Sequence, residues 1–233
     1  MQKKNFNKII FYLCSICFII SSLLISVHYW CYNEDFYRKQ HQSLTLYGEP
    51  IAQYIGISDE QLDELTHFTL SYLNDPNASL DKVMNIKGVD REVFTNDEKA
   101  HMVDVQKLNL ISKYIMYICI FIFVLCMIYI LVNKCSFKEL YLCSKKIFKI
   151  FLIIILVLGT WIIIDFDSFW TFFHHIFFAG NDLWLLDLRK DILIMIVPPE
   201  FFFHLVSVIT ITFIMLVILY YLLLYFLSRR VND

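Results

Sequence analysis

The fold is decided by residues 172–199, FFHHIFFAGNDLWLLDLRKDILIMIVPP, which lie between two long apolar segments. The stretch carries two adjacent histidines, His174 and His175, among phenylalanines. A polar turn at residues 180–182 and a charged run at residues 187–191 follow, and two prolines close it. Such a mixture is typical of a segment that lies in the membrane surface rather than one that crosses the bilayer.

The composition around this stretch is that of an integral membrane protein. Of 233 residues, 58% are hydrophobic and 18% are charged, whereas soluble domains average about 45–50% apolar and about 25% charged residues. The net charge of −2 indicates no particular partner. There is no global basic excess and no nucleic-acid-binding motif, so we expect no nucleic acid partner.

The apolar pattern predicts an all-α integral membrane protein in one domain. An apolar run of about twenty residues is long enough to cross the hydrocarbon core as a helix. We predict four transmembrane helices at residues 9–29, 110–132, 150–164 and 201–227. A signal peptide is the alternative for the first run. We favour a retained span, because the run is long and no small-residue cleavage site follows it.

The lysines and arginines predict the orientation of these spans. The amino terminus, residues 133–149 and the carboxyl terminus are rich in Lys and Arg, and the two remaining loops are not. The positive-inside rule therefore places both termini and the loop at residues 133–149 in the cytoplasm. Residues 30–109 then form an extracellular, mostly helical cap, and residues 165–200 form an extracellular interfacial or re-entrant segment before the last helix.

Local signals predict helices within the cap. Residues 36–55 are polar and favour a helix over the membrane. Residues 58–73 carry apolar side chains at helical spacing after Ser58, which can cap the helix. Thr95 and Glu98 fit a capping box, and the helix that begins there can run without a break into the second span.

His101 on that capped helix is a candidate catalytic residue. Glu98 and Asp104 lie three residues before and after it, so helical spacing brings a carboxylate to either side of the ring. A flanking carboxylate can orient a histidine and stabilise its protonated form. His101 would lie roughly 13 Å along the helix from Leu110, at the depth of lipid ester groups. A solvated surface histidine is the alternative.

His174 is the second candidate catalytic residue, because an ionisable side chain in an apolar segment at membrane level is often functional. A packed interfacial histidine is the alternative. His175 points elsewhere on a helix. Arg189 could donate to a developing oxyanion, and His175 and Trp184 could contact a substrate, although Trp184 and Arg189 are also typical of residues that anchor a surface segment.

The residues do not favour metal or covalent chemistry. His101, His174 and Asp104 could form a metal site, but no HExxH motif or Cys/His cluster with ligand spacing is present. No GxSxG motif is present, and no serine or cysteine stands beside the histidines at motif spacing, so a covalent serine or cysteine mechanism is not supported. Cys14 and Cys17 form a CxxC inside a predicted span, where small apolar filler is the better interpretation.

At these residues the chain resembles a known family, the lipoprotein intramolecular transacylases of low-GC Gram-positive bacteria. The matching motifs are FTNDEKAHMVDV at residues 94–105, FHHIFF at 173–178, DLWLLD at 182–187 and PEFF at 199–202. The four-span layout and the large first outer loop also fit, so the resemblance covers nearly the whole chain.

The resemblance implies an enzyme of the bacterial plasma membrane. Its substrate would be a diacylated lipoprotein whose amino-terminal cysteine has a free amine. The enzyme would move the acyl chain from the second glycerol carbon to that amine and give a lyso-form lipoprotein. No nucleotide, metal, other cofactor or outside acyl donor would be needed.

The chemistry of the candidate residues agrees with this implication. An amine that attacks an ester must lose a proton, and the departing alkoxide must gain one, so two facing histidines can divide these tasks. We expect His101 and His174 to form the dyad, with Glu98 or Asp104 orienting His101 and with His101 as the base because of those carboxylates. A membrane metal-dependent hydrolase and a non-catalytic extracellular sensor or accessory protein remain the alternatives.

Overall fold

A computed structural model describes residues 2–230. It confirms an all-α membrane architecture in which two small hairpins interrupt the helices. The elements, in chain order, are α1 (Gln2–Cys31), α2 (Glu34–Ser43), β1 (Thr45–Leu46), β2 (Glu49–Pro50), α3 (Ile51–Ile55), α4 (Asp59–Asn74), β3 (Val83–Ile86), β4 (Val89–Glu92), α5 (Asn96–Val132), α6 (Phe137–Ile164), α7 (Phe166–Phe177), α8 (Ile192–Ile196) and α9 (Pro199–Arg230).

Four of the described helices, α1, α5, α6 and α9, are long and apolar enough to cross a membrane. The longest, α5, has 37 residues and is therefore about 55 Å long, well beyond the ~30 Å of hydrocarbon. The chain divides into two compact units, and the division within α5 falls between Ile111 and Ser112. The first part of α5, which carries His101, thus belongs to a different unit from the rest of the helix.

The first unit, the span unit, comprises residues 2–28, 112–165 and 207–230 of the described chain. Its core includes Phe11, Cys14, Ile130, Leu140 and Leu224. The outer faces of its helices expose many large apolar side chains, as a lipid-facing surface requires. Its buried core also contains the Ser15 and Ser144 hydroxyls, which pair with each other at 2.7 Å.

The second unit, the site unit, comprises Tyr29–Ile111 and Phe166–Val206. Helix α4 begins where the sequence predicts it, because Ser58 and Gln61 form a complete capping box. The capping box predicted at Thr95 is also present. The Thr95 amide donates to Glu98 at 2.6 Å, and the Glu98 amide donates to the Thr95 hydroxyl at 3.3 Å. Helix α5 then continues without a break to Val132.

Two segments differ from the sequence expectations. Residues 36–55 do not form one helix, because α2 ends at Ser43 and the β1–β2 hairpin follows. A second hairpin pairs Val83–Ile86 with Val89–Glu92. Both hairpins turn on two residues with positive φ, the second of which is Gly48 or Gly88, and this geometry matches the twist of antiparallel strands.

The segment at residues 133–149, expected as a loop, is mostly helical. Helix α6 begins at Phe137, because the Ser136 hydroxyl accepts a hydrogen bond from the Glu139 amide at 3.4 Å and caps it. Four of the five lysines of this segment therefore lie on an ordered helix, and Lys134 lies in the turn before it.

Candidate active site

His101 on α5 and His174 on α7 come together inside the site unit. Their ring centroids lie 6.2 Å apart with an interplanar angle of 30°. The exposed fractions are 7% for His101 and 5% for His174. The Phe178 ring packs within 5.1 Å of the His101 ring and 5.4 Å of the His174 ring. The two predicted catalytic histidines thus share one apolar environment.

Helix α7 fixes the tautomer of His174. The Nδ1 atom lies 2.8 Å from the carbonyl oxygen of Trp170, one turn earlier. A carbonyl oxygen can only accept, so Nδ1 carries the proton and Nε2 of the neutral ring keeps its lone pair. Burial lowers the pKa of His174, and the nearby His175 lowers it further, against the opposing effect of the Trp170 carbonyl. The neutral ring is therefore available as a base.

His101 has no such partner. Its Nδ1 atom is buried and makes no hydrogen bond among the described residues. Burial lowers the pKa of His101 to about 4, His174 adds to this effect, and the negative charge of Asp104 opposes it. At neutral pH the ring is thus uncharged. A buried ring nitrogen without a partner is costly, and such groups are often found at functional sites.

Both histidines line a cavity of about 200 Å³ within the site unit. Most of the other lining side chains are apolar and come from α4, α5, α8 and the start of α9, including Leu70, Met102 and Leu205. Ligand pockets are typically lined in this way, by apolar side chains with a few polar groups that orient the ligand. The cavity therefore offers a mostly apolar space beside two neutral imidazoles.

Trp184 belongs to this cavity. Its ring stacks on His174 at a centroid distance of 4.7 Å and lines the cavity wall. Its Nε1 atom is buried without a hydrogen-bond partner among the described residues. The sequence around Trp184 is typical of an interfacial tryptophan, but in the structure its ring packs on His174 and restrains it. The Nε1–H group remains available to an incoming ligand.

Glu98 makes no hydrogen bond to His101, although the sequence analysis expected one of the two flanking carboxylates to orient that ring. One carboxylate oxygen accepts from the Leu193 amide at 2.6 Å, and the other accepts from the Thr95 amide at 2.6 Å. The side chain is fully buried. Burial raises the pKa of Glu98, and the bonds from Leu193 and Thr95 oppose that rise. Glu98 therefore ties the start of α8 to the start of α5, and both elements line the cavity.

Asp104 also makes no hydrogen bond to His101. Its carboxylate accepts from the Asn181 side chain at 3.1 Å and lies 3.3 Å from the Lys107 ammonium group. Its influence on His101 is through charge alone, the smallest of three effects on that pKa. Neither flanking carboxylate is hydrogen-bonded to the His101 ring. The expectation that His101 is the base depended on those carboxylates, so the structure gives it no support.

The structure does not bring His175 and Arg189 to the cavity. His175 is exposed. Its ring packs edge-on against the Trp184 ring at a centroid distance of 5.4 Å. Arg189 lines a separate cleft together with Lys87 and Arg91. Its predicted contact with an oxyanion therefore has no geometric support here.

Two residues of the site were missed by the sequence analysis. Trp170 supplies the carbonyl that fixes His174, and its ring packs against His174 at 4.6 Å. Phe178 contacts both histidines. Trp170 and Phe178 lie four residues before and after His174. This spacing could have predicted their contact with His174, since residues four apart share a helix face.

The histidine pair lacks a third ligand for a metal ion. Among residues 2–230, no group of three or more His, Cys, Asp or Glu side chains lies close enough to hold one. The Asp104 carboxylate is engaged with Asn181 and Lys107. The donor set therefore does not fit the metal site considered from the sequence.

Comparisons with known proteins give the family. A family model described as lipoprotein intramolecular transacylase Lit matches residues 12–202. A comparison with curated protein sequences finds no match.

Solved structures of a membrane integral lipoprotein intramolecular transacylase from Bacillus cereus share the fold. The first is 23% identical, with a TM-score of 0.79 over 98% of this chain and 99% of that one. The second carries a histidine-to-arginine mutation and is 23% identical, with a TM-score of 0.75 over 99% of this chain and 95% of that one. The third carries a histidine-to-alanine mutation and is 22% identical, with a TM-score of 0.74 over 99% of this chain and 97% of that one.

The family match extends over most of the chain, and the fold agrees with it along nearly the whole length. The sequence resemblance is thereby confirmed, and so is the expectation of an enzyme in a multi-pass membrane protein. The chain belongs to the lipoprotein intramolecular transacylase family.

Proposed function

We propose that this enzyme moves the acyl chain on the second glycerol carbon of a diacylglyceryl-cysteine to the free α-amine of that cysteine, giving a lyso-form lipoprotein. The observation that carries the proposal is the pair of buried, uncharged imidazoles at 6.2 Å beside one apolar cavity. The cavity suits an acyl chain, and the histidines suit the proton transfers of ester-to-amide exchange.

His174 is the base in this proposal. Its Nδ1 proton is held by the Trp170 carbonyl, which leaves Nε2 to accept a proton. As the amine nitrogen bonds to the ester carbonyl carbon, Nε2 takes one proton from the nitrogen. The carbon–oxygen bond to the glycerol then breaks, and the imidazolium returns the proton to that oxygen. The amide and the free glycerol hydroxyl balance the reaction.

His101 is the electrophilic partner. An imidazole whose pKa is lowered to about 4 stays neutral at physiological pH, and a neutral imidazole can polarise a carbonyl by donating a hydrogen bond. We assign to His101 a hydrogen bond to the oxyanion of the tetrahedral intermediate. Positioning is the other main contribution, because amine and ester belong to one molecule. The mostly apolar lining of the cavity would also limit the access of water, and hydrolysis is the competing reaction.

We further propose that both termini and the lysine-rich start of α6 lie in the cytoplasm and that the histidine pair lies at the outer surface of the plasma membrane. The distribution of lysine and arginine supports this orientation. The diacylated lipoprotein would then enter from the outer leaflet, where its lipid chains are anchored.

Mass spectrometry of the amino-terminal peptide of one lipoprotein, from cells with and without this protein, tests the function. We expect a diacylglyceryl form without it and, with it, an isomer of identical mass that carries one N-acyl and one O-acyl chain. An added acyl mass would show an external donor, and an unchanged peptide would contradict the proposal.

A further inference from the structure

A second lined site lies in the span unit, away from the histidines. A cleft of about 470 Å³ is bordered by residues of α1 and α6. Five of its lining residues are lysines: Lys4, Lys8, Lys145, Lys146 and Lys149. Within the described part of the chain, Glu139 is the one carboxylate that lines it, and it lies 3.9 Å from Lys4. The cleft therefore carries a clear excess of positive charge.

An apolar groove of about 440 Å³ lies between α6 and α9 and shares two lining lysines with this cleft. Lys145 and Lys149 line both the cleft and the groove. The remaining lining residues are aliphatic or aromatic and include Phe148, Ile155, Phe213 and Tyr221. One end of the combined site is thus basic, and the rest of it is hydrocarbon and aromatic.

The length of the groove matches one leaflet of a bilayer. Along α6, ten residues separate Lys145 from Ile155, which corresponds to about 15 Å of helix, or half of the ~30 Å hydrocarbon core. A headgroup at the lysines would therefore leave its acyl chain alongside the groove in the same leaflet.

The basic end of the groove is ordered by contacts between α6 and α9. The hydroxyls of Tyr141 and Tyr221 form a hydrogen bond, and the Phe148 ring packs against Tyr221 at 5.7 Å. Phe148 and Tyr221 both line the groove. The groove wall at this end is therefore built from paired side chains that hold the two helices at a fixed separation.

We infer that this combined site binds one anionic phospholipid, with its phosphate between the lysines and an acyl chain in the α6–α9 groove. Basic pockets between membrane helices are known to hold anionic headgroups. Topology alone accounts for lysines at a membrane surface, but it does not require two of them to border an apolar groove. The charge excess selects an anionic lipid over a zwitterionic one.

Native mass spectrometry of the full-length protein in detergent tests this inference with phosphatidylglycerol and phosphatidylcholine as probes. We expect phosphatidylglycerol to bind more tightly. The variant K145Q/K149Q should lose about fivefold in affinity for each lysine removed, since a lysine near such a surface contributes about 1 kcal/mol. The variant K134Q/K138Q removes the same charge from the same segment outside the cleft and should bind as the unchanged protein does. Equal losses in both variants, or equal binding of both lipids, would overturn the proposal.

A second experiment distinguishes a lipid-binding site from a site that binds phosphate alone. Ile155→Trp adds bulk to the groove but leaves every lysine in place, and it should weaken phosphatidylglycerol binding. Glycerol 3-phosphate, which offers the headgroup chemistry without an acyl chain, should not compete. Full competition by glycerol 3-phosphate would overturn the groove as part of the site. A helical melting transition and unchanged lyso-lipoprotein formation confirm that each variant is folded.

Discussion

The two units bury polar side chains in different ways. In the site unit, buried polar groups reach backbone atoms of distant segments. Glu98 accepts from the Leu193 amide, Gln106 donates to the Tyr72 carbonyl at 2.6 Å, and the His41 ring lies 2.9 Å from the Ile196 carbonyl. In the span unit, the Ser15 and Ser144 hydroxyls pair with each other at 2.7 Å.

The difference follows from where free backbone groups exist. In a membrane helix nearly every amide and carbonyl is already used within the helix, so side chains pair with each other or with their own helix. The short helices and turns of the site unit leave backbone groups open at their ends. A side chain tied to such a group is positioned by the fold itself, which is what a catalytic site needs.

The largest effect is expected at His174, whose ring is held by a carbonyl of its own helix and not by one of a distant segment. Replacing His174 with Gln removes the proposed base, and we expect the rate of lyso-lipoprotein formation to fall by about 10²–10⁴-fold. His175→Gln changes the adjacent exposed residue and should leave the rate nearly unchanged. The amino-terminal peptide assay measures both. A full rate in the His174 variant would rule out the proposed dyad.

A smaller but substantial effect is expected at Glu98. Glu98→Ala leaves the Leu193 and Thr95 amides without partners, and each buried orphan costs about 1–3 kcal/mol. We expect the free energy of unfolding to fall by about 2–6 kcal/mol, measured on the protein in detergent. Asp97→Ala, an exposed change in the same first turn, should cost less than about 1 kcal/mol. Similar losses in both would mean that the Glu98 bonds contribute little.

The next effect concerns pH. The pKa of His101 is about 4 in the folded protein and about 6.5 in an unfolded chain. Between these values the unfolded chain binds a proton that the folded protein does not, so stability is complete above pH 6.5 and falls as the pH decreases towards 4.

We expect His101→Gln to reduce this loss by up to about 3 kcal/mol. Melting temperatures of both proteins in detergent at pH 4.5 and pH 7 provide the measurement. The burial of His41 and His174 lowers their pKa values in the same direction, so the variant should keep part of the dependence. Equal slopes for the two proteins would contradict the assignment to His101.

The smallest effect is expected in the span unit. Ser15→Ala and Ser144→Ala each remove one partner of the serine pair, and a double-mutant cycle isolates their coupling. Polar pairs between membrane helices average about 0.6 kcal/mol, and we expect a value of that order. A coupling above about 2 kcal/mol would show that the two units do not differ in the way described.

Local sequence signals predicted much of this architecture. The Ser58 cap, the Thr95–Glu98 capping box and the four apolar helices depend on neighbours within a few residues, so the sequence reveals them directly. The approach of His101 to His174 was expected because both lie in loops assigned to one membrane face. The hairpins escaped prediction because strands of two to four residues are too short to show a period.

The long-range bonds of the site could not be predicted in the same way. Glu98 was assigned to His101 because helical spacing brings the two near, but a carboxylate in a desolvated site binds whichever donors the fold brings closest, and these were two backbone amides. Nothing local to Glu98 indicates that Leu193, 95 residues later, would be one of them. Arg189 shows the converse, since its charge suggested an oxyanion contact but the turn directs it to another cleft.

The bond between His174 and Trp170 links the protonation pattern of the base to the winding of α7. The Trp170 carbonyl and the His174 ring belong to successive turns, and the Phe178 amide continues the pattern by donating to the His174 carbonyl at 2.8 Å. The proton on Nδ1, which leaves Nε2 free to accept one, is therefore maintained by the same helical geometry that forms the backbone hydrogen bonds of α7. A proline that unwound α7 between residues 170 and 174 would remove the bond that fixes the tautomer as well as change the path of the chain.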